Sequence, residues 1–339
     1  MSKIEEALDS KKVPQVEPRS RKKLSPDLFV SSGSTMLNLA LSGMTNGGWR
    51  KKRIVNIVGD KSTGKTLLAI EALTYVMKVL DSKDNPVRAI YDETESAFDL
   101  DYAELLGMPI NKVEIRSSAT VEDFYTSLDA ELDKDDYSFM IYVLDSLDAL
   151  SSKQEVGTKI DEGTFGTSKA KIMSQLFRRL VSKIESKNVL VMIISQIRDK
   201  IGVTFGKKQE RTGGKALDFY ASQVVWLAQT GKLSLANRVA GVTVKAKVDK
   251  NKVWMPYREA EFPILFEYGI DDVGSMVDTL IDAGIVQKAG TRYIWNDKKM
   301  FREDLIQELE DEKPKIQSMV QDFWDKEEAN GRYKRKPKY

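Results

Sequence analysis

Residues 53–70 read RIVNIVGDKSTGKTLLAI, and the order of signals inside this stretch decides the fold. An apolar run rich in β-branched residues, Arg53 to Val58, stops at a glycine. Eight residues follow, GDKSTGKT, that match G-x-x-x-x-G-K-[ST]. Next comes TLLAIEALTYVMKVL, which is too long for a strand and reads as a helix packed on a sheet. Glycines in such a turn let the backbone curl until its N–H groups converge on phosphate oxygens. The helix that opens behind them adds the favourable end of its dipole. Gly59, Asp60, Lys61, Ser62, Thr63, Gly64, Lys65 and Thr66 are therefore candidate nucleotide-cradling residues. Lys65 can reach the outer phosphates, and Thr66 can offer its hydroxyl to Mg²⁺. A plain glycine turn is the competing reading, and the flanking strand and helix speak against it.

Outward from this unit the chain alternates strand and helix signals. VRAIYDE, SFMIYVLD, NVLVMIIS, ASQVVWLAQ, VTVKAKVDK and PILFEYG read as strands. TVEDFYTSLDAELDK and SKAKIMSQLFRRLVSKIES read as helices between them. Apolar strands alternating with helices predict an α/β fold with a mainly parallel sheet covered on both faces. Residues 1–28, charged and proline-containing, read as an arm; 29–269 form the core. Residues 270–339 read as a small helical subdomain that ends in a basic tail, with TRYIWND between its helical stretches.

Composition narrows the chemistry. Among 339 residues there is no cysteine and no histidine, which excludes disulfides, thiol nucleophiles, zinc fingers and Ser-His-Asp triads. Catalysis falls to carboxylates, lysines, hydroxyls and backbone amides. No run approaches the length of a membrane span, and MSKIEEALDSKK lacks the apolar core of a secretory signal, so a cytoplasmic location is expected. The net charge of +2 is small, but PRSRKK and RYKRKPKY concentrate basic residues. Such tails are commonly solvated, and they also suit an acidic partner or nucleic acid.

Two further stretches supply chemistry. FMIYVLDSLDAL ends an apolar strand in Asp145, where an acid at the carboxyl mouth of a parallel strand faces the ligand crevice and can hold the water shell of Mg²⁺. A helix N-cap is the plainer role for it. Hydrolysis also needs a carboxylate to orient water, and YDETESAFDLDY offers Asp92, Glu93, Glu95, Asp99 and Asp101. Spacing alone leaves Glu93 and Glu95 equivalent.

SQIRDKIGVTFGKKQERTGGKA, from Ser195 to Ala216, is a long basic loop behind a buried strand. Arg198, Lys200, Lys207, Lys208, Arg211 and Lys215 suit phosphates, whereas Ile201, Val203 and Phe205 suit base faces. Gly202, Gly206, Gly213 and Gly214 let a backbone approach closely. No pattern for reading base edges is present, so sequence-tolerant binding of single-stranded DNA is expected. A second glycine-bearing loop, KQEVGTKIDEGTFGTSKAK, offers Phe165 as another contact.

In this order the motifs resemble the RecA strand-exchange recombinases from about residue 30 to about 295. SSGSTMLNLALSG, GDKSTGKT, VLDSLDALSSKQEV, MSQLFRRL, SQIRDKIGVTFG with TGGKALDFYAS, DKNKVWMPYREAEFPILFEYGI and IVQKAGTRYIW carry the likeness. The resemblance implies a RecA-like ATPase core that binds ATP and Mg²⁺ and forms a helical homo-oligomer on single-stranded DNA. It implies pairing of that strand with homologous double-stranded DNA, with hydrolysis stimulated by DNA. The family's E-x-A-x-D pattern matches ESAFD, which implies Glu95 as the catalytic carboxylate and Asp99 as its companion. Tyr102 matches the adenine-stacking tyrosine, and Gln196 the glutamine that senses the γ-phosphate. Lys250 and Lys252 match paired lysines that reach a neighbour's nucleotide, and Phe219 an interface phenylalanine. A ring-forming hexameric motor on the same core is the alternative weighed, and a decayed, non-hydrolysing mediator is a third. Intact Lys65, Thr66, Asp145 and Glu95 oppose the mediator. The basic end departs from the acidic tail common in bacterial members, so truncating residues 332–339 is expected to weaken DNA binding or leave it unchanged.

Overall fold

The computed structural model describes residues 23–157, 166–199, 209–211 and 214–331. Short strands β1 (Phe29–Val30) and β2 (Trp49–Arg50) form a small ribbon around the helix Thr35–Ser42. Among the described residues the main sheet has ten strands. They are β3 (Arg53–Gly59), β4 (Val87–Glu93), β5 (Glu114–Arg116), β6 (Phe139–Asp145), β7 (Val189–Asp199), β8 (Gln209–Arg211), β9 (Gln223–Leu235), β10 (Arg238–Asn251), β11 (Glu259–Leu265) and β12 (Gly269–Ile270). Their order is β12-β11-β10-β9-β3-β7-β6-β4-β5, with β8 beside β7. From β9 through β5 neighbours run parallel; from β9 to β12 they run antiparallel.

The apolar runs are explained by burial on both faces. In β3, Val55 and Ile57 join the core under the helices Lys65–Tyr75 and Asp272–Asp282. Ile54 and Val58 face the opposite core, built with the helices Val121–Leu132 and Gly166–Ser186. Strand β7 divides the same way, with Leu190, Met192 and Ile194 on one side and Val189, Val191 and Ile193 on the other. This is the period-two alternation of a central strand with two covered faces. The buried Asn56 interrupts the run without cost, because its amide donates to the Ile193 carbonyl at 2.8 Å and to Ser195 Oγ at 3.0 Å.

The mainly parallel, helix-flanked sheet expected from the sequence is present, and three segments extend beyond their sequence signals. Strand β7 continues through Asp199 and pairs with β8, so both ends of the basic loop are zipped together. Strands β9 and β10 form a long hairpin, turned at Ala236 and Asn237 with φ of 48° and 64°. The region after residue 270 also holds more than helices. It carries a three-stranded antiparallel sheet, β13 (Gln287–Ala289), β14 (Arg292–Trp295) and β15 (Lys298–Met300).

The last helix, Lys313–Asn330, returns to the opening segment. Along it Lys313 meets Asp272 at 2.9 Å, Gln317 meets Thr35 at 3.3 Å and Gln321 meets the Gly43 carbonyl at 3.0 Å. Asp325 meets Lys23 at 2.7 Å, and Glu328 meets Arg258 at 2.8 Å. The spacing of these positions is that of one helix face. Ile316 and Val320 enter the same core cluster as Val55 and Leu68.

Candidate nucleotide site

Glycine at 64 is required by its backbone conformation. Its φ is +82°, and a Cβ there would stand 2.5 Å from Ile264 Cδ1. As N-cap of the helix Lys65–Tyr75 it provides no side-chain acceptor. The first-turn N–H groups are thus left uncapped, as an anion-binding helix start needs. Thr63 Oγ1 and Lys65 Nζ donate to the Asp60 carbonyl at 2.9 and 2.6 Å, closing the loop on itself. Burial lowers the Lys65 pKa, with the surrounding acids, Asp145 first, opposing it.

Behind the loop lies a cleft of about 220 Å³ at the carboxyl ends of the parallel strands. Thr66, Tyr91, Glu93, Glu95, Tyr102 and Asp145 all line it. Asp145 ends β6 and is not a helix cap: its Oδ2 accepts from Thr66 Oγ1 and from Tyr91 Oη, each at 2.7 Å. Burial raises the Asp145 pKa, while these two donors pull it back. Burial, then the charge of Asp145, pushes the Tyr91 hydroxyl far above the ordinary tyrosine range, which keeps it a donor.

The acids after β4 separate by role. Asp92 is fully buried and accepts from Ser118 N and Oγ at 2.8 Å and from Tyr142 Oη at 2.6 Å. Glu93 turns back on its own chain, accepting the N–H groups of Glu95, Ser96 and Ala97 at 2.9, 2.8 and 3.0 Å. Asp99 caps the helix Leu100–Leu105 by accepting from Tyr102 N at 2.9 Å. Glu95 is exposed. Its Oε1 accepts from Ser146 Oγ at 2.6 Å and from Gln196 Nε2 at 2.8 Å. The Gln196 N–H donates to Asp148 Oδ2 at 2.7 Å.

Lys250 and Lys252 do not join this cleft. Lys250 Nζ donates to the carbonyls of Asp218 and Phe219, the latter at 3.1 Å, and Lys252 Nζ reaches the Phe219 carbonyl at 3.5 Å. Both cations sit at the carboxyl end of the helix Gly214–Tyr220, where its dipole favours them. Phe219 is 71% exposed beside them.

The backbone of Arg198 lies in β7, that of Arg211 in β8, and those of Gly214 and Lys215 open the helix Gly214–Tyr220. Phe165, Lys200, Ile201, Gly202, Val203, Phe205, Gly206, Lys207, Lys208 and Gly213 lie outside the described residues, as do residues 1–22 and the basic tail 332–339.

Sequence reasoning missed Tyr91, Ser146, Asp148 and Lys169. Lys169 Nζ donates to the carbonyls of Leu147, Asp148 and Leu150, pinning the segment behind Asp145. Tyr91 had a legible signal, since it is a hydroxyl-bearing residue one place before the acids in a buried strand. Ser146 had only its adjacency to Asp145.

The sheet order and the glycine loop at its carboxyl edge define a phosphate-loop nucleotide-binding protein of the α/β class. A model of the RecA N-terminal domain matches residues 1–271. Protein RecA of Cereibacter sphaeroides is 37% identical over 271 residues, 80% of this chain and 76% of that protein. The chain belongs to the RecA family of recombinases. Protein RecA of Paracoccus denitrificans is 36% identical over 284 residues, 83% and 76% of the two chains. Protein RecA of Thioalkalivibrio sulfidiphilus is 35% identical over 271 residues, 80% and 76%. These relatives do not favour the ring-forming motor. Among the described residues no helix is long and apolar enough to cross a membrane.

Proposed function

We propose that the protein is a DNA-dependent ATPase whose hydrolysis cycle controls binding of single-stranded DNA during homologous pairing. The carrying observation is the 2.8 Å hydrogen bond from Gln196 Nε2 to Glu95 Oε1. It joins a carboxylate in the nucleotide cleft to the strand that runs into the basic loop.

The residues present fit ATP with Mg²⁺. The uncapped helix start and Lys65 suit the phosphates, and Thr66 and Asp145 suit the metal. Thr66 and Asp145 would offer Mg²⁺ one hydroxyl and one carboxylate, oxygen donors of the kind it takes beside water and phosphate. Bound Mg²⁺ would supply charge neutralisation at the β- and γ-phosphates. Glu95, exposed and held by Ser146, polarises the attacking water. Tyr102 stacks on the base. A γ-phosphate competing for the Gln196 amide would release it from Glu95 and shift β7, and with it the loop Arg198–Lys215. By linkage, DNA on that loop tightens ATP binding to the same degree. Residues 1–28 and Phe219 are assigned to contact with a neighbouring subunit in a helical homo-oligomer, and 270–339 to a C-terminal subdomain.

The test is Gln196→Ala. ATP hydrolysis without DNA should persist, while stimulation by single-stranded DNA and the ATP-induced rise in DNA affinity are lost. Retained stimulation would refute the coupling. A D-loop assay beside it checks pairing of the bound strand with homologous duplex.

A further inference from the structure

Asp145 has two hydroxyl donors on one oxygen, and only one of them belongs to the phosphate loop. Thr66 Oγ1 and Tyr91 Oη both reach Asp145 Oδ2 at 2.7 Å. Tyr91 is 1% exposed and lies on β4, opposite Val143 of β6. Its ring stacks on Phe98, with centroids 4.1 Å apart and planes at 30°. Phe98 belongs to the segment that leads from Glu95 to Tyr102, and it lines the cleft with them. Tyr91 thus connects the floor of the cleft to the loop that carries the candidate catalytic carboxylate.

The two donors stand on different supports. A threonine that lends an oxygen lone pair to a metal ion keeps its O–H for the aspartate, but its position then follows the metal and the phosphate loop. Tyr91, buried on β4, holds the carboxylate from outside that loop. Resting on the reading that Thr66 and Asp145 serve Mg²⁺, we infer that Tyr91 is a positioning residue that holds the Asp145 carboxylate in its metal-serving orientation through its hydroxyl. The phenol ring cannot be replaced by packing alone, because what Asp145 receives is a hydrogen bond. A donor behind a metal-serving carboxylate fixes its orientation, and its loss weakens metal affinity by about tenfold or more.

The experiment is Tyr91→Phe, which keeps the ring and its stack on Phe98 and removes only the hydroxyl. Binding of a fluorescent ADP analogue is titrated against free Mg²⁺ for both proteins and repeated in EDTA. Mn²⁺ binding in the presence of ADP is followed by electron paramagnetic resonance, and the melting temperature without ligand is recorded. The expected result is a rise of about tenfold or more in half-saturating Mg²⁺, with matching loss of Mn²⁺ affinity. Binding in EDTA should stay as in the unmodified protein, and the melting temperature should fall by no more than a few degrees, as loss of one buried hydrogen bond to a carboxylate allows. An unchanged Mg²⁺ midpoint would overturn the inference alone. Equal weakening with and without metal would also overturn it, since that marks loss of packing. If the unmodified protein bound the analogue with no dependence on Mg²⁺, the metal reading itself would fall, and this inference with it.

Discussion

The carboxylate of Glu93 accepts three backbone N–H groups, while that of Glu95 meets two side chains across the cleft. The first arrangement is complete without a substrate; the second presents an oxygen where a water can lie. Glu95→Gln should lower single-turnover ATP hydrolysis by about 100-fold or more while nucleotide binding stays near normal. Glu93→Ala should act differently, costing about 1–3 kcal/mol of stability through three lost hydrogen bonds to one carboxylate and weakening nucleotide binding as the turn loosens. Thermal melts beside quenched-flow hydrolysis separate the two, and a Glu93→Gln variant that abolished hydrolysis in a stable protein would reverse the assignment. Spacing could not decide between these glutamates, because both stand after a strand end and the deciding fact is which way the backbone turns after Glu93. Resemblance to the E-x-A-x-D pattern pointed to the residue that geometry leaves open. The phosphate loop, by contrast, was fully legible, since its residues act through contiguous backbone. The pairings of Tyr91 and Ser146 were not, because their partners Asp145 and Glu95 lie about 50 residues away.

Elements meet at the far end of the phosphate-loop helix. Glu71 lies there, largely buried against Gly33 and Gly269 and beside a cavity of about 390 Å³. Asp272 accepts from Thr35 N at 2.5 Å and Thr35 Oγ1 at 2.9 Å, and its salt bridge takes the Lys313 ammonium. Two acids therefore share one cation. Burial, then the charge of Asp272, raises the Glu71 pKa from 4.5 to about 7, with the Ile270 N–H and Lys313 opposing. Between those pH values the folded chain keeps a proton that the unfolded chain has released. Stability from this group is complete below about 4.5 and is lost as pH rises through about 7, by on the order of 3 kcal/mol. Glu71→Gln should therefore melt several degrees above the unmodified protein at pH 8 and alongside it at pH 5. Equal shifts at both pH values would show that the effect is packing and not ionisation. The sequence showed the apolar face of this helix but not this pairing, which joins position 71 to 272 and 313.

At the scale of the molecule, the sheet decides what one subunit can do alone. Lys250 pairs with Val224, and Val224 with Asn56, three residues before Gly59 at the mouth of β3. That places the lysine about 10 Å down the sheet from the phosphate loop, at the opposite edge. Its ammonium and that of Lys252 are turned to the end of the helix Gly214–Tyr220 beside the exposed Phe219. Cations so placed lie away from their own subunit's phosphate loop, and on the proposed reading they serve the nucleotide of a neighbour, which ties hydrolysis to assembly. The sequence offered the KNK spacing and the resemblance; the strand register adds the distance from the loop. Lys250→Ala with Lys252→Ala should lower hydrolysis by at least about 100-fold, as loss of a donated cation does. Lys65→Ala should be equally inactive for a different reason, since its own loop is broken. In a head-to-tail assembly an equimolar mixture of the two would form competent sites wherever an intact loop meets intact lysines, restoring about one quarter of the unmodified rate. Steady-state ATPase on a saturating single strand, with electron microscopy to verify that mixed filaments form, measures it. Mixed filaments with no recovery would place the lysines' action within their own subunit or in folding alone.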